Sequence, residues 1–210
     1  MMPLRTVRVF GAALALLVVV LANPAVSEAD QQANAQAFVQ TLGEDALDVL
    51  RQDGLTYEQA VSAFGALFQR SFDIPLVARF ALGRYARGAQ PDKVDRYVDL
   101  FEQVMVRTYT RRFNEYGGQT FQSLSVRPEG SRDLLVSSQF IRVQGPPVNV
   151  GWRLRPQEDG SFRVLDVVIE NVSMALTQRN EYSAIIQRNG GQLDGLIEAL
   201  EAQLASTEAG

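Results

Sequence analysis

Apolar residues recur at helical spacing through the first half of the chain and at every second position after Gln119. Residues 30–52 and 56–70 carry the i, i+3, i+4 pattern that predicts amphipathic helices, with Thr56 and Glu58 suited to starting the second. The stretch FDIPLVARFALGRY, residues 72–85, is different. Set as a helix capped by Asp73, it spreads Ile74, Leu76, Val77, Ala78, Phe80, Ala81, Leu82 and Tyr85 around most of its circumference and leaves Arg79, Gly83 and Arg84 for water. A surface helix needs an apolar stripe of only about 100°. This one requires a second apolar surface, and the pattern by itself leaves open whether that is filled core or the wall of a cavity. A longer helix is predicted from Pro91 to about Tyr116, with Val94, Tyr97, Val98, Phe101, Val104, Met105, Tyr109 and Phe113 on one face. Its Asp92, Asp95, Asp99 and Glu102 precede Arg107, Arg111 and Arg112, the order that the helix dipole favours and that a solvated face explains.

From Gln119 the period becomes two. TFQSLSV, LLVSSQFIRV, PVNVGWRLR and SFRVLDVVIENV are separated by RPEGSR, QGPP and PQEDG, each a turn signal, which predicts a four-stranded antiparallel meander. In the third strand Val148, Val150, Trp152 and Leu154 share one face, and Asn149, Gly151, Arg153 and Arg155 the other. The fourth breaks this rule: Leu165, Val167 and Ile169 are apolar, and so are Phe162, Val164 and Val168 on the opposite face. That strand is expected to be covered on both sides, or curled. Helices at about 174–188 and 192–205, joined by RNGG, close the chain. Helices, then antiparallel strands, then helices, with no βαβ unit, define the α+β class.

Composition narrows the chemistry. The 210 residues, 46% hydrophobic and 21% charged, can bury a sizeable core. A net charge of -4 and a single lysine, Lys93, argue against a nucleic-acid partner. There is no Cys and no His, which removes thiolate nucleophiles, His bases, Ser-His-Asp triads and the common zinc ligand sets. Carboxylate chemistry would fall to Asp166, Glu170, Glu115 or Glu181. Asp166 and Glu170, four apart on one strand face, would stand roughly 13 Å apart at about 3.3 Å per residue, against the roughly 5 Å a retaining glycosidase needs. No enzyme activity, cofactor or metal site is expected. At the N-terminus Arg5 and Arg8 precede an apolar run from Val9 to Leu21, with Asn23 and Pro24 as breakers and small residues suited to cleavage after Ser27 or Ala29. That run is shorter than the roughly 20 residues of a spanning helix. Residues 1–29 therefore read as a cleaved signal peptide and residues 30–210 as one exported domain, which without disulfides suits a Gram-negative periplasm.

Three segments, FDIPLVARFALGRYARGAQPDKVDRYVDLFEQVMVRTYTRRFNEYGGQTF, PPVNVGWRLR and VLDVVIENVSMALTQRNEYSAIIQRNGG, resemble in order the signature segments of the MlaC, or toluene-tolerance, family of periplasmic phospholipid-binding proteins. The resemblance implies an α+β fold in which a curved antiparallel sheet and the helices before and after it enclose a deep apolar pocket for acyl chains, with the phosphate head near the mouth. It implies non-enzymatic carriage of phospholipid, by a monomer, between an outer-membrane lipoprotein complex and an inner-membrane ABC transporter complex. Two positions depart from the family pattern. Asn171 stands where relatives commonly have Gly, a replacement that still tolerates positive φ, and Ala86 stands where an aromatic often follows GRY or GQY. On this reading the lipid-lining candidates are Phe72, Leu76, Phe80, Val104, Met105, Tyr109, Phe113, Val150, Trp152, Val164, Val168 and Met174, and Arg79, Arg84, Arg107 and Arg111 are candidates for the phosphate. The alternative is a periplasmic binding protein for small solvent-like molecules.

Overall fold

The computed structural model describes residues 27–51, 54–113 and 119–208. Nearly all of the expected leader lies outside these residues. The helices are α1 (Glu28–Arg51), α2 (Tyr57–Ser71), α3 (Ile74–Leu82) followed by a 3₁₀ turn (Gly83–Ala86), and α4 (Pro91–Phe113). The strands are β1 (Thr120–Glu129), β2 (Asp133–Ile141), β3 (Val148–Pro156), β4 (Phe162–Ile169) and β5 (Val172–Ser173), and α5 (Met174–Arg188) and α6 (Leu193–Glu208) follow them. The strands form one antiparallel meander in chain order. The fold is α+β, with the sheet one strand larger than the expected four.

That added strand comes from a hairpin with a two-residue turn. Val168 pairs with Ser173 and Ile169 with Val172, and between them Glu170 and Asn171 take φ of 46° and 66°. Positive φ at both turn positions matches the twist of the flanking strands. Asn171 tolerates it, as expected. Glu170 is held by its neighbour: one carboxylate oxygen accepts from the Asn149 backbone N–H at 2.6 Å, and the Glu170 N–H donates to the Asn149 carbonyl at 3.0 Å.

The doubly apolar fourth strand has a simple cause. Arg153 pairs with Asp166 and Leu154 with Val164, so Leu165 is an extra residue, a β-bulge. The bulge reverses the alternation. Phe162 and Val164, opposite Pro156 and Leu154, face inward before it, and Val167 and Ile169, opposite Trp152 and Val150, face inward after it. A bulge at Leu124 does the same in β1, placing Phe121 opposite Phe140 and Val126 opposite Val136.

Local chemistry sets where the helices begin. Thr56 and Gln59 form a capping box, the Thr56 hydroxyl accepting from the Gln59 N–H and the Gln59 side chain from the Thr56 N–H. The Asp73 carboxylate accepts from the Leu76 N–H to start α3. This helix ends at Leu82, where Gly83, at a φ of 57° that L side chains rarely adopt, turns the chain beneath the Arg179 side chain. The buried Tyr97 hydroxyl donates to the Ala78 carbonyl at 3.0 Å and ties α4 to α3. Tyr97, Phe101 and Tyr182 pack edge to face, which joins α4 to α5. Outside this core, Lys93 pairs with Asp194 and Arg96 with Glu201 between α4 and α6.

Candidate functional site: an apolar cavity between sheet and helices

The helices do not fill the space over the inner face of the sheet. A cavity of about 220 Å³ remains there. Its walls are Leu42, Ala46 and Leu47 of α1, Phe64, Leu67 and Phe68 of α2, Phe72 after α2, Val77 and Ala81 of α3, and Phe101, Met105 and Tyr109 of α4. From the sheet come Phe140, Val148, Val150, Trp152, Leu165, Val167 and Ile169, and from α5 Met174 and Ala175. One water needs roughly 10–15 Å³ of such space and two to four polar partners. This cavity has room for many waters and almost nothing to bind them, so its natural content is apolar.

Polar residues touch the cavity at Gln119, Arg142, Asp166 and Gln178. Asp166 is committed to the fold: its carboxylate accepts from the Ser173 hydroxyl at 2.6 Å and from the Ala175 N–H at 2.9 Å, at the positive end of α5. Glu170, its would-be catalytic partner, is held by Asn149. Among the described residues no cluster of acidic side chains could hold a metal ion.

Of the residues expected to line a pocket, Phe72, Met105, Tyr109, Val150, Trp152 and Met174 stand together on the wall. Leu76 and Phe80 do not. They are 39% and 41% exposed, because α3 turns Val77 and Ala81 to the cavity and leaves the flank of Leu76 and Phe80 to solvent, with the Arg179 guanidinium over the Phe80 ring. Val104 is buried in the core away from the cavity. Val164 precedes the bulge and packs at the Phe72 bridge, and Val168 follows it on the outer face against Gly151. The Phe113 side chain lies outside the described residues. The four arginines expected near the phosphate are also elsewhere: Arg79 faces Asp95 at 3.8 Å, Arg84 donates to the Tyr85 hydroxyl, Arg107 pairs with Glu58 at 3.1 Å, and Arg111 is exposed on α4.

Sequence reasoning passed over the wall residues of α1 and α2, because an amphipathic face reads the same whether it meets core or cavity. Arg142 was legible. It continues the inward series Leu134, Val136, Ser138, Phe140 of β2 by one more alternation.

A solved structure described as the phospholipid-binding protein from Ralstonia solanacearum in complex with a phospholipid is similar in fold, with a TM-score of 0.73 over 83% of this chain and 98% of that one, at 23% identity. The toluene tolerance protein ttg2D of Pseudomonas putida is 22% identical over 125 residues, 60% of this chain, and the match spans 58% of that protein's length. The profile of the MlaC protein family matches residues 40–202, from the middle of α1 into α6 and across every wall of the cavity, and the chain belongs to that family.

Proposed function

We propose that this chain is a carrier that shields the acyl chains of a phospholipid from water in the cavity between sheet and helices. The observation that carries this reading is the cavity, walled by aliphatic and aromatic side chains from helices and strands alike. The physical need is plain. A diacyl phospholipid has about 30 methylenes, and at roughly 0.8 kcal/mol each their exposure to water would cost on the order of 20 kcal/mol. A lipid crossing an aqueous compartment therefore needs a dry container. The phospholipid in the Ralstonia relative supports the same assignment by likeness of fold. With an N-terminal segment of signal-peptide character, the carrier would work in the periplasm, taking lipid from one membrane complex and giving it to another, an outer-membrane lipoprotein assembly and an inner-membrane ABC transporter.

The test is the mass of what the purified protein holds. Native mass spectrometry of protein from a bacterial host should show an adduct that solvent extraction identifies as diacyl phospholipid. A small aromatic adduct would favour the solvent-binding alternative, which the name of the Pseudomonas relative suggests. An apo mass alone, under conditions that keep a known lipid carrier loaded, would reject the lipid reading.

A further inference from the structure

We infer that Arg142 is the counter-charge for the lipid's phosphate, an assignment that rests on the phospholipid reading above. Among the described residues two side chains with formal charge touch the cavity, Arg142 and Asp166, and Asp166 is consumed by the start of α5. Arg142 makes no ion pair or hydrogen bond among the described residues. It follows the last residue of β2 on the strand's inward side, and it is exposed. Its position therefore joins an apolar interior to water, where a diacyl lipid buries its tails and keeps its head wet. The lip around it is apolar: Ile141 and Val143 flank it in the chain at 41% and 72% exposure. Across the strand pair, the Arg51 guanidinium donates to the carbonyl of Gln119, another residue of the cavity border, but it also pairs with Asp48 at 3.6 Å, which leaves Arg142, among the described residues, as the unpaired charge at this rim. A guanidinium meets a phosphodiester with two parallel N–H donors, a geometry that ammonium cannot copy.

The ligand feature recognised is thus an anionic phosphoester attached to acyl chains. Full-length protein is stripped of lipid, incubated with vesicles of equal parts dioleoyl phosphatidylglycerol and dioleoyl glycerol, recovered, and its bound lipids are quantified. The two lipids have the same tails, so their ratio reads the head alone, and comparing variants cancels their different tendencies to leave the vesicle. Arg142→Gln should lower the ratio of phospholipid to diacylglycerol by about two- to fivefold, the range for an exposed charge pair, with total bound lipid nearly unchanged. Arg142→Lys should retain part of the preference, and Arg79→Gln, whose side chain faces Asp95, should retain all of it. An Arg142→Gln protein with the parent's ratio would overturn the assignment while leaving the carrier reading intact. Uptake of neither lipid by the parent would overturn both. Excess free glycerol phosphate should not alter the ratio, and if it abolishes the preference, the site takes a soluble phosphoester and the lipid-head assignment is wrong.

Discussion

The indole N–H of Trp152 donates to the Ser138 hydroxyl at 2.9 Å, and that hydroxyl donates in turn to the Val150 carbonyl at 2.9 Å. This relay fixes the orientation of the chain's single tryptophan on the cavity wall. Ser138 is almost fully buried. Ser138→Ala therefore leaves the indole donor without its acceptor and should destabilise the protein by about 1–3 kcal/mol. Urea denaturation measures this directly, and a midpoint equal to that of the parent would show that water or another group replaces the hydroxyl.

Because Trp152 is the chain's one tryptophan and borders the cavity, its emission reports occupancy. Acyl chains against the ring exclude solvent from the open cavity beside it, so loading stripped protein with phospholipid should shift the emission to shorter wavelength, and stripping should reverse the shift. A spectrum indifferent to lipid that demonstrably binds would place the ligand outside this cavity.

The two buried tyrosines make alkaline stability a second readout. Burial pushes the Tyr97 phenol far above its usual range, with repulsion from Tyr182 adding to it, and burial does the same to Tyr182. The unfolded chain releases these protons near pH 10 while the native state keeps them. Stability is thus fully present below about pH 10 and is lost as pH rises, at up to about 1.4 kcal/mol per pH unit for each tyrosine. The Tyr182 hydroxyl has no hydrogen-bond partner among the described residues, so Tyr182→Phe should change little at pH 7 and flatten the alkaline decline. Tyr97→Phe should also flatten it, but at neutral pH it forfeits the bond to Ala78, at about 1 kcal/mol. Urea titrations between pH 8 and 11 separate the two.

These residues also show how far the sequence reaches. The alternation in β2 and β3 specifies which side chains face inward, and Met105, Tyr109, Val150 and Trp152 follow from it and from the helical period of α4. In β4 the sequence shows apolar residues on both faces but not the cause: the inserted Leu165 breaks the alternation, so that Val167 and Ile169 share the inner face with Phe162 and Val164 while Val168 stays outside, and no local signal marks it. The same limit applies to α3. Its composition shows that it is apolar nearly all round, but which flank meets the cavity depends on where α4 and α5 pack, through contacts such as Tyr97 to Ala78. Sequence periodicity fixes relative positions on a helix, whereas its rotation about its own axis is a tertiary property.

The hairpin turn gives a stability prediction independent of any ligand. Asn171 at φ 66° lies where glycine is at ease and a β-branched residue is strained. Asn171→Gly should be neutral or stabilising by up to about 1 kcal/mol, whereas Asn171→Val should destabilise by about 1–2 kcal/mol. Since the turn delivers Ser173 to cap α5, with its hydroxyl accepting from the Leu176 N–H, the valine variant should also lose helical circular dichroism before global unfolding. Equal stability of all three proteins would mean that the turn relaxes to another conformation.

Adjacent residues on α3 test the cavity itself. Val77 borders it and Leu76, one position earlier, faces solvent. A tryptophan at position 77 extends into space that acyl chains would occupy. Overpacking a filled core costs roughly 1–3 kcal/mol, but a cavity of about 220 Å³ can take the added ring with less strain. Val77→Trp should therefore keep its circular dichroism and most of its thermal stability once stripped of lipid, while co-purifying with much less phospholipid than the parent. Leu76→Trp enlarges an exposed side chain and should keep both its stability and its lipid. The comparison controls for the effect of placing tryptophan on this helix, because the two sites differ mainly in the direction they face. If Leu76→Trp loses its lipid and Val77→Trp stays loaded, the ligand lies on the outer flank of α3, and the cavity between sheet and helices is not the container.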